Sequence, residues 1–208
     1  MRKILPTVLD TKYESILSRE RSLAKAVASA VIESKPLTVW EMMIPLVFIH
    51  NFLRYKRTRE VFTLNFLFTK KLALEAAFDT VKKGQSRQQA MARIKEKTRN
   101  ILAADKKGIY SQKIRQRQMK EIELLIEHYR TLLQAEGKDY NSMMKNAYRT
   151  WEEYSAFLEQ IRRAEKEVNR AAQQTVRVAT ASDLVSKMEK ATERIRRSEA
   201  GKIFEINS

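Results

Sequence analysis

A chain of 208 residues, 43 % of them hydrophobic, is long enough to bury a core, so a wholly disordered protein is excluded. Its formal net charge of +16 selects negative partners: anionic lipid, an acidic protein or nucleic acid. With no Cys, disulfides, thiolate chemistry and the usual zinc sites are excluded, and the composition suits a reducing cytoplasm. The excess charge is uneven. Residues 1 to 53 carry 7 basic and 5 acidic groups, 54 to 100 carry 13 and 4, and 101 to 208 carry 21 and 16.

The start of the chain, basic at Arg2 and Lys3, has an apolar run too short for a signal peptide, and Asp10 ends it. We read it as a mature N terminus. Thr11 and Glu14 have the spacing of a capping box, which predicts a first helix from about Asp10. Tyr13, Ile16, Leu17, Leu23, Val27 and Val31 then share one face until Pro36. Thr38 and Glu41 form a second box, and Pro45 kinks or restarts the helix that follows.

Between Val39 and Thr69 two apolar blocks flank a joint carrying Arg54, Lys56, Arg57 and Arg59. Val47-Phe48-x-x-Asn51-Phe52-Leu53 recurs two heptads later as Val61-Phe62-x-x-Asn65-Phe66-Leu67. At about 100° per residue the apolar side chains of each block point all round a helix, so protein or lipid must wrap it. Leu37 to Leu53 is 17 residues interrupted by Glu41 and Pro45, against the ~20 apolar residues a membrane span needs. A shallowly inserted hairpin fits better. Phe48, Phe52, Phe62, Phe66 and Phe68 would enter the acyl boundary while Arg54, Lys56, Arg57, Arg59, Lys70 and Lys71 meet lipid phosphates. The bland alternative makes the same stretch the core of a soluble bundle, or a subunit interface.

Helix continues to about Lys83. Ser86 and Gln89 make another capping box, opening a helix with Met91, Ile94, Ile101 and Leu102 that fades at Asp105 to Gly108. We place a boundary there, giving an N-terminal region 1–108, with its apolar and basic hairpin at 39–83, and a C-terminal region 109–208. The four glycines, at 84, 108, 137 and 201, each follow a helix-like stretch, as C-terminal caps do.

From Ser111, the positions Met119, Ile122, Ile126, Tyr129 and Leu133 step by three and four. The pattern stops before Gly137 and resumes as Met144, Ala147, Trp151, Tyr154, Leu158 and Ile161. This predicts a coiled-coil-like antiparallel hairpin joined by a short turn, pairing Ile126 with Trp151, Ile122 with Tyr154 and Met119 with Leu158. Met144, Tyr148, Trp151 and Tyr154 are read as its seam in preference to a partner-binding face. A last helix opens near Ser182 with Leu184, Met188, Ala191 and Ile195 aligned, and Ile203, Phe204 and Ile206 form a tail that packs or frays. No segment alternates like a strand, so the class is all-α, a helical bundle with a central apolar helix pair.

Catalytic signals are poor. His50 and His128 lie far apart, and the carboxylates near the second, Glu121, Glu123 and Glu127, miss the Glu-x-x-His spacing of di-iron bundles, with Leu125 standing where that Glu is needed. There is no phosphate-binding glycine loop and no nucleophile elbow. Lys113, Arg117 and Lys120 share a face, but the following carboxylates make it read as a solvated helix surface rather than a phosphate-binding stripe. The expectation is a non-enzymatic adaptor or scaffold without cofactor or metal, cytoplasmic or at the inner face of a membrane, held by an anionic lipid surface or an acidic protein, with self-association open. A soluble assembly module and a basic nucleic-acid-binding protein are the alternatives.

Overall fold

The computed structural model describes residues 6–32, 58–106, 108, 110–176 and 179–206. The expectations at Pro36, Thr38, Glu41, Pro45, Phe48, His50, Phe52, Arg54, Lys56 and Arg57 therefore lie outside the described residues. Among those described there are seven helices and no strand: α1 (Val8–Val31), α2 (Thr58–Lys83), α3 (Arg87–Ala104), α4 (Gln112–Gln134), α5 (Tyr140–Ala147), α6 (Trp151–Val176) and α7 (Ala179–Phe204).

The caps are local chemistry. The first helix starts earlier than Thr11 and Glu14 suggest, because Thr7 is the N-cap and its reciprocal partner is Asp10. Asp10 also accepts from Lys82 at 2.6 Å, so the same carboxylate caps the start of one helix and ties down the end of another. The box of Ser86 and Gln89 is present as expected, each side chain meeting the other's backbone N–H at 3.1 to 3.2 Å.

Five helices close a ring in the order α1, α2, α4, α6, α7 and back to α1. Their directions follow from pairs along their lengths. Lys82 meets Asp10 while Arg59 meets Ile32, so α1 and α2 are antiparallel. Lys12 reaches the Leu133 carbonyl, which sets the end of α4 beside the start of α1. Ser111 and Lys113 pair with Thr175 and Gln174, and His128 stacks on Phe157, so α6 runs back along α4. Arg19 pairs with Glu199, which returns α7 along α1.

The C-terminal hairpin thus has a different register from the one expected. His128 rather than Ile126 is the α4 residue facing the first turns of α6, against Phe157 at 4.2 Å between ring centres. The reason is the connection, which is not a short turn. Residues 140–147 fold as the separate helix α5, capped by Asp139 on Ser142, and the chain bends at 148–150 before α6 begins. The stripe from Met144 to Ile161 is thereby divided between two helices. Met144 and Tyr154 are buried all the same, and Tyr148 and Trp151 pack half-buried against the same core.

One end of the ring is solid. Its core takes Ile16 and Leu17 of α1, Leu72, Leu74 and Ala77 of α2, Met91 and Ile94 of α3, Ile122, Leu125, Ile126, Tyr129, Leu132 and Leu133 of α4, Met143 and Met144 of α5, Ile161 of α6 and Ile203 of α7. Residues on both sides of Gly108 therefore share this core. Each large aliphatic side chain buried there contributes about 1.5 to 3 kcal/mol of transfer free energy. At the other end the core divides. Leu23, Ala24, Val27, Ala28, Val31, Ile32, Phe62, Phe66, Leu67, Leu184, Met188 and Ala191 form one cluster between α1, α2 and α7. Tyr110, Ile114, Val168, Ala171 and Ala172 form another between α4 and α6, with Ile101 and Leu102 of α3 against it.

The last helix opens about a turn before Ser182, at Ala179, and continues through Gly201, which is thus helical and not a cap. Ile203 is buried, and Phe204 packs on Trp151 and Tyr154, so the tail packs. Gly84, Gly108 and Gly137 have positive φ. Gly137 is the most constrained: at φ +138° a Cβ would lie 2.6 Å from Ser142 Oγ and 2.7 Å from the Met143 nitrogen. Gly137→Ala should cost ~2 kcal/mol or more, beyond the ~1 kcal/mol of left-handed strain alone, because backbone and side chain both have to move. Urea unfolding of the two proteins measures it, and an unchanged midpoint would refute the clash.

Candidate functional site: a charged cleft inside the ring

Between the two divided clusters α2 stands away from α6 and α7, and a cavity of about 450 Å³ opens there. Phe66, Phe68, Leu158, Val168 and Met188 supply apolar wall, and Asn65, Thr69, Gln118, Asn169 and Thr192 supply polar groups. Eleven charged side chains line it; the four that meet at its inner wall come from four helices, Lys70 (α2), Glu121 (α4), Glu165 (α6) and Arg196 (α7), while Glu159, Arg162, Lys166, Glu189, Lys190, Glu193 and Arg197 stand toward its α6 and α7 rim.

Glu165 is the hub. Arg196 donates two parallel bonds to it, both 2.8 Å, and Lys70 a longer one at 3.3 Å. Burial disfavours the ionised form of Glu165, but the Arg196 and Lys70 charges more than offset this and hold its carboxyl down at about 2. The Lys70 side chain is 3 % exposed, and its ammonium also sits 4.2 Å over the Phe66 ring. Glu121 accepts from Thr69 Oγ1 at 2.9 Å. Burial, only partly countered by Lys70, lifts its carboxyl to about 6. The cluster therefore sets a lysine and an arginine against one carboxyl held well down and a second lifted toward neutrality.

Behind this cluster sits an aromatic nest. His128 Nδ1 and the Tyr148 hydroxyl are 2.7 Å apart, and the imidazole stacks on Phe157. Burial lowers the His128 pKa to about 3, so the ring is neutral. A neutral His bonded to a phenol and enclosed by rings is a packing element. Among the described residues no group of His, Asp and Glu side chains could hold a metal ion.

The residues singled out from the sequence fare differently. Phe62 and Phe66, 3 % and 8 % exposed, lie in the α1/α2/α7 core, where their rings stack with centres 6.2 Å apart. Phe68 is half-buried against the solid core. Lys70 points inward to Glu165. Arg59 donates to the Ile32 carbonyl at 3.0 Å. Lys71 is exposed and pairs with Glu75. The structure therefore does not gather these six on one surface.

A second basic feature lies on α3 and the first half of α4. Residues 87 to 120 carry eleven Lys and Arg against Glu96 and Asp105. Lys95, Arg115, Arg117 and Lys120 line a shallow groove with Glu123. Arg115 also fastens α4 to α3, donating to Thr98 Oγ1 at 3.1 Å and to the Lys95 carbonyl at 2.8 Å. Glu121, expected to dilute this charge at the surface, is 5 % exposed and turns into the cleft instead. Glu127 is occupied by Arg87 and Arg130.

No family model matches the chain, and neither curated proteins nor solved structures yield a match. No helix among the described residues is long and apolar enough to cross a membrane.

Proposed function

We propose that this chain is a non-enzymatic helical adaptor held at an anionic membrane surface, with residues 37–57 as the attaching segment. The supporting observation is the bond from Arg59 to the Ile32 carbonyl. It joins the last described residue before that segment to the first turn of α2, so the intervening chain leaves and returns at one place. Closing that base once, by a bond within the folded bundle, spares the attachment much of the cost of bringing its ends together. The bond also removes Arg59 from the lipid-facing set, as core packing removes Phe62 and Phe66. The attaching chemistry is then Phe48 and Phe52, with Arg54, Lys56 and Arg57 for the headgroups. The ends of the segment lie at the divided end of the ring, where α3 finishes and α4 begins, so the basic residues of 87 to 120 add long-range attraction.

Replacing residues 34–57 by a short Gly/Ser linker should leave thermal unfolding nearly unchanged and abolish co-sedimentation with phosphatidylserine vesicles. Neutralising Arg54, Lys56 and Arg57 in the full chain should weaken that binding by about 1 kcal/mol per charge. Wild-type protein remaining in the supernatant at low salt, where attraction is strongest, would defeat the reading. The burial of Phe62, Phe66 and Leu67 favours a second reading, a soluble assembly module. It predicts that the linker variant changes oligomeric state instead.

A further inference from the structure

We infer that the cleft between α2, α4, α6 and α7 is a binding site for a small amphiphilic anion, its acidic head set between Lys70 and Arg196 and its apolar body against Phe66, Phe68, Leu158 and Met188. The inference is independent of the attachment proposed above. A volume of about 450 Å³ is within the range of small-molecule sites, which join mostly apolar walls to a few convergent polar groups. What distinguishes this cavity from a packing gap is its charge. Lys70 is almost wholly buried, yet the one carboxylate it bonds, Glu165, is shared with Arg196 and engaged more closely by Arg196. An ammonium has three donors, and one long bond to Glu165 with a ring face beneath leaves it able to donate to an incoming head group.

Charge balance gives the site its second property. The groups facing Glu121 are Thr69 and Lys70 from α2, Glu165 from α6 and Arg196 from α7. With Glu121 ionised, the two inner cations meet two inner carboxylates and this group is neutral, while at the rim Arg162 and Arg197 are paired with Glu159 and Glu193, and Lys166 and Lys190 stand with Glu189. With Glu121 protonated, the inner cations are in excess by one and an anion seated between them restores the balance of that group. Binding therefore takes up a proton from solvent onto Glu121, and acid strengthens it.

Decanesulfonate, whose head stays ionised across the range, is the probe, with decanol as its uncharged counterpart. Titration calorimetry on the full chain should show one site, with affinity about tenfold or more higher at about pH 5.5 than at about pH 7.5. Glu121→Gln, which fixes the neutral form, should bind at the higher pH as wild type binds at the lower, with no remaining pH dependence. Lys70→Met should weaken the sulfonate at least about tenfold and leave decanol unchanged. The proposal is overturned if wild type shows no saturable site at either pH. It is equally overturned if Glu121→Gln keeps the wild-type pH profile, because the anion then binds elsewhere.

Discussion

Glu165→Ala should destabilise the protein by about 3 to 5 kcal/mol, the cost typical of removing one partner from a buried ion pair. Two cations would be left in the cleft, Arg196 losing both bonds of its fork and Lys70 its carboxylate. The effect has a pH signature. The folded carboxyl lies at about 2 against an ordinary 4.5, so its stabilisation is complete above about 4.5 and is lost as pH falls through about 2. Wild type should thus lose stability steeply in acid, and the variant should lack that part of the slope. Chemical denaturation at a series of pH values gives both numbers. A triple change to Glu165→Leu, Lys70→Met and Arg196→Met should recover much of the loss, since an apolar replacement of the whole cluster leaves no orphaned charge. If the single change costs under ~1 kcal/mol, water reaches these groups and the cluster is not interior.

The second large effect is at the start of α2. Phe66→Ser should cost about 3 to 5 kcal/mol, and adding Phe62→Ser should leave little folded protein in a domain of ordinary stability. The two effects will not simply add, because the rings touch each other. Circular dichroism melts distinguish this from a lipid-facing role, in which the same substitutions would leave the fold intact. A double variant that melts like wild type would return both side chains to the membrane-facing set.

These outcomes separate what was legible in the sequence from what was not. The periodicity of α4 was readable because its inner stripe is apolar for most of its length, and Ser86 with Gln89 was readable because a capping box is a four-residue event. The break at 148–150 left no glycine or proline, so a stripe divided between α5 and α6 looked continuous. Phe62, Phe66 and Leu67 of the repeat pack with α1 and α7 while Leu64 between them stays exposed, and sequence alone cannot distinguish such packing from lipid. The cleft was least legible, since its four inner charges come from four helices. One signal was present nonetheless. Glu121 occupies the same stripe as Ile114, Gln118, Leu125, His128 and Leu132, and a carboxylate on an otherwise buried face demands a partner.

The closed ring also bears on how the chain reaches its native state. The stripe of α1 from Leu23 to Val31 is covered partly by α2, which follows it, and partly by Leu184 and Met188 of α7, made more than a hundred residues later. During synthesis at about 5 to 20 residues per second, that face stays half-covered for many seconds, a natural target for a chaperone that holds apolar helix surfaces. The pairing of Arg19 with Glu199 can form only when the last helix arrives, so closure is a late event of high sequence separation. Substitutions on α7 should consequently act mainly on the unfolding rate, and those on the α2 and α4 core on the folding rate.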